Sequence, residues 1–398
     1  MRIRGPHAVP SALDLLSGDA QTFATKVWAS LVHVHQVEPD ALVGLLSLDD
    51  ADALLTGSAI RTPAVRVAKD GRVLDQSAYV RKHAAIAGQA LSGLVDPRRA
   101  LALFAEGATV VFQGLHRYHP PLTDLVSRLE LELGHPCQAN AYLTPPGSQG
   151  FDVHSDTHDV FVFQTHGTKQ WEVHHPEGGR PCGHEAHEPG CRVDDILLRP
   201  GLSMYLPTGT PHAARAEGEA SLHVTIGIQQ LTWRALVRRA VDRLVDEVDD
   251  GHLPVGWAER RDGLGPGLTD RLQALALAMA TVDTEAAVGD EAERFLTSRG
   301  SRLRGGLHDV LEIDRIGSDT VLRRRDGHPC VASARGDKIR VLIGDRHLDV
   351  PARIASAIEV VVEREQLTPA DLGLDADSNL VLARRLVREG LLEVLRRP

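Results

Sequence analysis

The stretch HSDTHDVFVFQTHGTKQWEVH, residues 154–174, threads histidines, two aspartates and a lysine through an apolar run. Its segments DVFVFQ and KQWEVH predict two β-strands joined by a turn at HGT. Residues two apart in an extended segment point to the same side, so His154 and Asp156 can converge on one point. An imidazole and a carboxylate that converge indicate part of a metal site, whereas the alternative is a solvated loop with a chance pair of polar residues.

The sequence around this stretch has a β-rich texture. From Cys137 to about Gln230, short strand-like runs follow one another between Gly and Pro residues, including QANAYLT, DDILLRP, SMYLP and SLHVTIGI. Regularly spaced short strands with turn signals are typical of a sandwich or barrel. We therefore predict a double-stranded β-helix of the cupin or jelly-roll kind.

The second histidine of a metal site must come from another part of this barrel. The best candidate is His212 in SMYLPTGTPHAARA, residues 203–216, where a tight turn precedes the histidine. Two histidines and one carboxylate on one face of a metal form the facial triad of non-haem Fe(II) oxygenases, which leaves coordination positions open. His154, Asp156 and His212 are therefore the predicted metal ligands and catalytic centre.

A co-substrate such as 2-oxoglutarate would need a buried cation for the carboxylate that is far from the iron. Lys169 fits, because it shares a strand face with Trp171 and Val173, and a buried ammonium requires an anionic partner. Asn140 and Tyr142 also share a face, just before the HxD pattern. Amide and phenol groups are natural hydrogen-bond donors to a carboxylate.

At this point the sequence resembles the JmjC-type ribosomal oxygenases of the cupin superfamily, which are Fe(II)- and 2-oxoglutarate-dependent protein hydroxylases. The resemblance runs through NAYLTPPGSQGFDVHSDTHDVFVFQTHGTKQWEVH and LRPGLSMYLPTGTPHAARAEGEASLHVTIGI. It implies iron bound by His154, Asp156 and His212, and Lys169 as the partner of the 2-oxoglutarate tail. It further implies a ribosomal protein side chain as substrate, such as an arginine or a histidine.

Some relatives place a serine in the strand after the second histidine. Here SLHVTIGI offers Gly227 instead, with Thr225 and His223 as the nearest polar groups. The predicted co-substrate pocket therefore comprises Lys169, Asn140, Tyr142 and Thr225.

The predicted fold class is α+β with three domains. Residues 1–231 form the JmjC/cupin catalytic domain, 232–300 a helical region and 301–398 a winged helix, whose outline is helix, turn, helix and strand pair. The resemblance implies that the helical region forms a homodimer and that the winged helix serves protein contacts.

Charge and cysteine content restrict the possible partners. The 398 residues carry a net charge of −10 at pH 7, which disfavours binding to nucleic acid and suits a basic ribosomal partner. Four cysteines in a chain of this length fit a reducing compartment, and no signal peptide or membrane span is predicted. We therefore expect a cytoplasmic protein that binds neither DNA nor membranes.

Several alternatives remain open from the residues alone. The same scaffold could hydroxylate a small molecule or a natural-product peptide, serve a metal-dependent cupin without oxygenase chemistry, or be a relic in a winged-helix adaptor. Separately, the segment with Cys182, His184, His187 and Cys191 could bind zinc, although its Gly- and Pro-rich sequence favours a solvated loop. His158 is expected to be solvated or to lie behind the metal ligands.

Overall fold

The computed structural model describes residues 11–149, 152–176, 189–248, 251–259 and 264–396. The chain divides into two compact units, Met1–Gln230 and Leu231–Pro398. The second unit contains both of the C-terminal regions that the sequence predicts. None of the helices in the described ranges is long and apolar enough to cross a membrane.

The first unit combines six α-helices with thirteen strands in its described part. Its helices are α1 (Ala12–Ser17), α2 (Ala20–Thr22), α3 (Pro39–Val43), α4 (Leu48–Thr56), α5 (Pro97–Ala105) and α6 (Pro120–Leu133). Its strands before the HxD pattern are β1 (His33–Gln36), β2 (Val65–Lys69), β3 (Arg72–Val73), β4 (Ala85–Ile86), β5 (Gln89–Ala90), β6 (Thr109–Phe112) and β7 (Cys137–Thr144). The strands after it are β8 (Asp159–His166), β9 (Lys169–Pro176), β10 (Pro189–Leu198), β11 (Leu202–Leu206), β12 (His212–Ala216) and β13 (Ser221–Ile228).

Two antiparallel sheets form the barrel. The larger sheet has the strand order β1-β11-β8-β13-β7-β6-β2-β3, and the smaller has the order β10-β9-β12. Strand β8 is buried on both faces because it is apolar at successive positions. Phe161 and Phe163 pack on the helical side, whereas Val160 and Val162 pack with Trp171 of the smaller sheet. This arrangement confirms the predicted α+β, cupin-like barrel.

The second unit is built from six further helices and six strands in its described part. The helices are α7 (Trp233–Val248), α8 (Leu264–Met279), α9 (Thr284–Thr297), α10 (Gly306–Glu312), α11 (Ala355–Glu363) and α12 (Ala376–Arg388). Strands β14 (Leu322–Arg324), β18 (Gln366–Leu367) and β19 (Leu392–Val394) form one sheet, and β15 (Val331–Arg335), β16 (Lys338–Leu342) and β17 (His347–Pro351) form another. A second apolar core lies beneath α11 and α12.

Candidate active site

A buried aspartate brings the predicted metal ligands together. Asp159, at the start of β8, is 1% exposed and accepts hydrogen bonds from the Tyr205 hydroxyl at 2.5 Å and from the Thr208 backbone N–H at 2.6 Å. These bonds tie the start of β8 to the turn that precedes β12. The loop with His154 and Asp156 is therefore held beside the strand that begins with His212.

Backbone pairing completes this arrangement. His154 and His212 form an isolated antiparallel bridge, with N–H to carbonyl distances of 3.1 Å and 2.8 Å in the two directions. The Gly209 N–H donates to the Asp156 carbonyl at 2.8 Å. The positions of both histidines and of the aspartate are thus fixed by the backbone before any ligand binds.

The three predicted ligands form one cluster. One ligand atom from each of His154, Asp156 and His212 lies within 4.8 Å of the others. His212 Nε2 is 3.8 Å from Asp156 Oδ2, and the two imidazole centroids are 4.6 Å apart. His212 is 5% exposed, whereas His154 is exposed, so the cluster lies at the boundary between the interior and solvent.

Hydrogen bonds select the tautomer that suits a metal. His154 Nδ1 lies 2.8 Å from the Asp152 carbonyl, and His212 Nδ1 lies 2.9 Å from the Thr210 carbonyl. Because a carbonyl only accepts, Nδ1 donates in both residues and Nε2 presents its lone pair. Burial, reinforced by the neighbouring His154, lowers the pKa of His212 to about 4, so its imidazole is neutral at pH 7.

A cavity of about 230 Å³ opens from this cluster into the barrel. Lys169 lies at its inner part, 3% exposed, and its Nζ donates to Thr144 Oγ1 at 3.1 Å. Across the described residues, no carboxylate forms an ion pair with Lys169. Burial lowers the pKa of the Lys169 ammonium to about 7. Such a group is stabilised by an anion that enters the cavity.

The distance between the cation and the metal cluster follows from strand register. On β12 and β9, His212 pairs with Val173 and Ala216 pairs with Lys169. Four residues of strand span about 13 Å at ~3.3 Å per residue. A lysine side chain and a short dicarboxylate together can bridge this span.

Further polar and aromatic groups line the cavity. The rings of Tyr142 and His223 stack with centroids 4.9 Å apart, and Trp171 meets His223 edge-on at 5.5 Å. Within the described part of the chain, Trp171 Nε1 and His223 Nδ1 are buried without a hydrogen-bond partner. Buried polar atoms of this kind are expected to find partners in a polar ligand.

The structure separates the predicted co-substrate residues. Tyr142 and Thr225 line the cavity with Lys169, as do Thr109 and Arg66, which the sequence analysis did not identify. Asn140 instead lines a second, neighbouring cavity, where its Oδ1 accepts from the Gly114 N–H at 3.0 Å.

Other predicted positions fall outside the cluster of His154, Asp156 and His212. His158 lines the second cavity, and His166 ends β8 before the turn to β9. Cys182, His184 and His187, which formed most of the possible zinc site, lie outside the described residues, as does the side chain of Cys191.

Comparison with known proteins adds family context. The JmjC domain family matches residues 120–236. Ribosomal oxygenase 2 of Mus musculus is 31% identical over 206 residues, which cover 50% of this chain and 41% of that protein. Ribosomal oxygenase 1 of Homo sapiens is 28% identical over 242 residues, which cover 56% of this chain and 36% of that protein. The chain thus spans about two fifths of the length of these relatives.

Among solved structures, the Escherichia coli ribosomal oxygenase YcfD has a TM-score of 0.55 at 18% identity, covering 95% of this chain and 98% of YcfD. A structure of YcfD in complex with cobalt and 2-oxoglutarate has a TM-score of 0.52 at 18% identity, with coverages of 94% and 97%. At these identities the likeness concerns the fold.

Proposed function

We propose that the protein is an Fe(II)- and 2-oxoglutarate-dependent dioxygenase, because the JmjC domain family matches residues 120–236 and the chain is similar to ribosomal oxygenases. Its substrate is a protein side chain, and a ribosomal protein is the partner that the relatives suggest. The observation that carries this proposal is a ligand cluster of two histidines and one aspartate that shares a cavity with a buried lysine lacking an anion among the described residues. The protein is proposed to act in the cytoplasm.

The residues of the ligand cluster and of the Lys169 cavity fit Fe(II) and 2-oxoglutarate. His154, Asp156 and His212 would hold Fe(II) through two neutral imidazole nitrogens and a carboxylate, a donor set typical of non-haem oxygenases. Lys169 would bind the distal carboxylate of 2-oxoglutarate, with Thr144 orienting the ammonium. Tyr142 and Thr225 would contact the same co-substrate, and Asn140 would contribute from the neighbouring cavity.

Bound iron would supply the redox chemistry: dioxygen gives one oxygen atom to 2-oxoglutarate, which becomes succinate and carbon dioxide, and the other to a substrate C–H bond. The chain positions the metal ligands and keeps water away from the site. Val160, Val162 and Ala214 line the cavity with apolar surface, which limits water beside the metal cluster. The backbone bridge between His154 and His212 keeps both imidazoles in place.

The first test is anaerobic addition of Fe(II) and 2-oxoglutarate to the purified protein. We expect a visible metal-to-oxoacid charge-transfer band, because the 2-oxo acid chelates the metal at the open positions of the triad. The band should require both additions and should disappear on adding succinate in excess. Metal binding without the band would remove 2-oxoglutarate from the proposal and favour a cupin with other chemistry.

For the second unit, we propose that residues 232–300 mediate homodimerisation and that residues 301–398 form a winged helix for protein contacts. Leu268, Leu272 and Met279 share one face of α8 and are 59%, 56% and 48% exposed. Trp233 on α7 is 80% exposed. Large apolar side chains in this number support an interface with a second copy of the chain.

Charges placed on this face are expected to convert a dimer to a monomer. Leu268→Glu with Leu272→Glu would place two unpaired carboxylates from each chain in the proposed interface, where losing their hydration is unfavourable and like charges repel. The molar mass from light scattering should fall to that of one chain, while the charge-transfer band persists. Ala274→Glu, on the opposite face of α8, is the matched control and should leave the mass unchanged. A wild-type monomer at micromolar concentration would contradict the proposal.

A further inference from the structure

Gly227 is a buried glycine inside strand β13, and its backbone conformation does not require glycine. It pairs with Gln138 of β7 and with Val160 of β8. Its φ angle lies outside the left-handed region that favours glycine. Glycine weakens a strand interior, because it has no side chain to pack and loses more conformational freedom on folding than other residues. A glycine in this setting therefore indicates that another group approaches the strand closely.

The group that approaches Gly227 is the imidazole of His158. A Cβ atom at position 227 would lie 2.6 Å from His158 Nε2 and 2.7 Å from His158 Cδ2, closer than real contacts allow. Side chains of paired residues on neighbouring strands lie on the same face, so position 227 faces the same side as Val160, which lines the Lys169 cavity. His158 thus rests on the inner face of β13, in space that the side chain of any other residue at position 227 would fill.

His158 belongs to the loop that carries His154 and Asp156. Two other contacts attach this loop to the segment that leads into β12. The backbone of His154 pairs with that of His212, and the Gly209 N–H donates to the Asp156 carbonyl at 2.8 Å. The contact of the His158 ring instead attaches the loop to β13, in the larger sheet. The loop is therefore held from two sides.

The carboxylate of Asp156 lies between these two attachments. Its backbone carbonyl is held by Gly209, and two residues later the chain is held on β13 through His158. Two residues of extended chain span about 7 Å, which leaves little slack between the two points. A displacement of the His158 ring would therefore be passed on to Asp156. Groups that orient metal ligands without binding the metal typically change metal affinity by about 10–100-fold.

We infer that His158 is a positioning residue for the metal site: its imidazole, resting on Gly227, holds the loop against β13 and so places the Asp156 carboxylate beside the two imidazoles of the cluster. The inference rests on the proposed oxygenase function, because it concerns the site that would hold Fe(II). In this role the His158 ring acts through its flat shape, and neither of its nitrogens binds the metal.

Gly227→Ala tests the contact from the side of the strand. The three atoms nearest to the added methyl group all belong to the His158 ring, and this side chain can rotate away. We therefore expect the barrel to fold. The affinity for Co(II), measured by visible absorption without co-substrate, should fall about tenfold or more. His158→Ala should cause a similar loss, because it removes the ring itself.

His158→Phe separates the shape of the ring from metal binding by its nitrogens. Phenylalanine keeps a flat ring but offers no ligand atom, so the Co(II) affinity and the Co(II) absorption spectrum should stay those of the wild type. The double variant Gly227→Ala/His158→Ala should lose no more affinity than His158→Ala alone, because both substitutions act through one contact. The comparison of His158→Ala with His158→Phe stands on its own if Gly227→Ala does not fold.

Gly218→Ala and His166→Ala are the matched controls. Apart from its chain neighbours, a Cβ atom at position 218 would have no described atom within 4 Å. His166 lies at the far end of β8 and lines neither the Lys169 cavity nor the neighbouring one. Both variants should bind Co(II) as the wild type does. The melting temperature of each metal-free variant shows that the proteins compared are folded.

Three results would overturn the inference. The first is unchanged Co(II) affinity in either Gly227→Ala or His158→Ala. The second is a loss in His158→Phe as large as that in His158→Ala, which would make a ring nitrogen the functional atom. The third is a double variant in which the two losses multiply. Wild-type protein that binds no metal, or that lacks the charge-transfer band with Fe(II) and 2-oxoglutarate, would instead refute the proposed oxygenase function, so the two failures are distinguishable.

Discussion

Lys169→Met is expected to abolish 2-oxoglutarate binding and, at the same time, to stabilise the ligand-free protein. Lys169 is 3% exposed, and its Nζ donates a hydrogen bond to Thr144 Oγ1. Burial lowers its pKa from 10.5 to about 7, which means that folding disfavours the charged form. Methionine is unbranched and apolar, so it fills the same space without that cost, and Thr144 keeps its contact with Thr109.

The lowered pKa of Lys169 decides whether folding stability rises or falls with pH. Between pH 7 and 10.5 the unfolded chain binds a proton at Lys169 that the folded chain does not, so this residue makes stability rise with pH across that window. Each pKa unit corresponds to about 1.4 kcal/mol, so the gain from Lys169→Met at pH 7 is on the order of a few kcal/mol. Thermal unfolding of wild type and variant should be measured from pH 6 to pH 9. The difference in stability between them should become smaller as the pH rises.

The affinity for 2-oxoglutarate has the opposite pH dependence to that of folding stability. A carboxylate on Lys169 favours the ammonium, so 2-oxoglutarate should bind with net proton uptake at pH 8, and its affinity should fall as pH rises above 7. Calorimetry in two buffers with different ionisation enthalpies measures the uptake. The matched control is Lys69→Met, because Lys69 is about one-third exposed and 3.7 Å from Glu106. Its loss should change neither the affinity for 2-oxoglutarate nor the proton uptake on binding. Undiminished 2-oxoglutarate affinity in Lys169→Met would contradict the assigned anchor.

The grouping of His154, Asp156 and His212 was predictable because its signals are local. His154 and Asp156 are two residues apart, and His212 follows a turn that a short sequence pattern reveals. Lys169 was predictable for the same reason, since alternation along its strand assigns it to the apolar face. The β-rich texture of the segment then indicated which elements could bring these residues together.

The sequence did not reveal residues whose positions depend on contacts between segments far apart in the chain. Arg66 reaches the cavity from β2, which is separated from β13 by two strands. Asn140 shares a face with Tyr142 as predicted, but a step of two residues, about 7 Å, moves it to the second cavity. Gly227 on β13 leaves room for the imidazole of His158, which lies in the loop before β8. This close contact depends on where that loop crosses a strand far away in sequence, and no local pattern encodes it.

Asp156→Ala is expected to abolish substrate hydroxylation, with a loss of more than about 100-fold, since even an outer partner of a metal ligand is typically worth 10–100-fold. The carboxylate is the only anionic donor in the described ligand cluster, and without it two neutral imidazoles would leave the 2+ charge of Fe(II) uncompensated. The backbone carbonyl of Asp156, which accepts from Gly209 N–H, is retained in alanine. The variant should therefore fold normally.

Three measurements together make this prediction decisive. Bound iron, the charge-transfer band and succinate release should all fall in Asp156→Ala, while the melting temperature of the metal-free protein stays near that of wild type. Asp152→Ala is the matched control: it removes an exposed aspartate from the same loop but keeps the carbonyl that accepts from His154 Nδ1, so iron binding should persist. Wild-type succinate release in Asp156→Ala would mean that the cluster is not the site of oxygen activation. Lost iron binding in both variants would assign the effect to the loop rather than to the carboxylate.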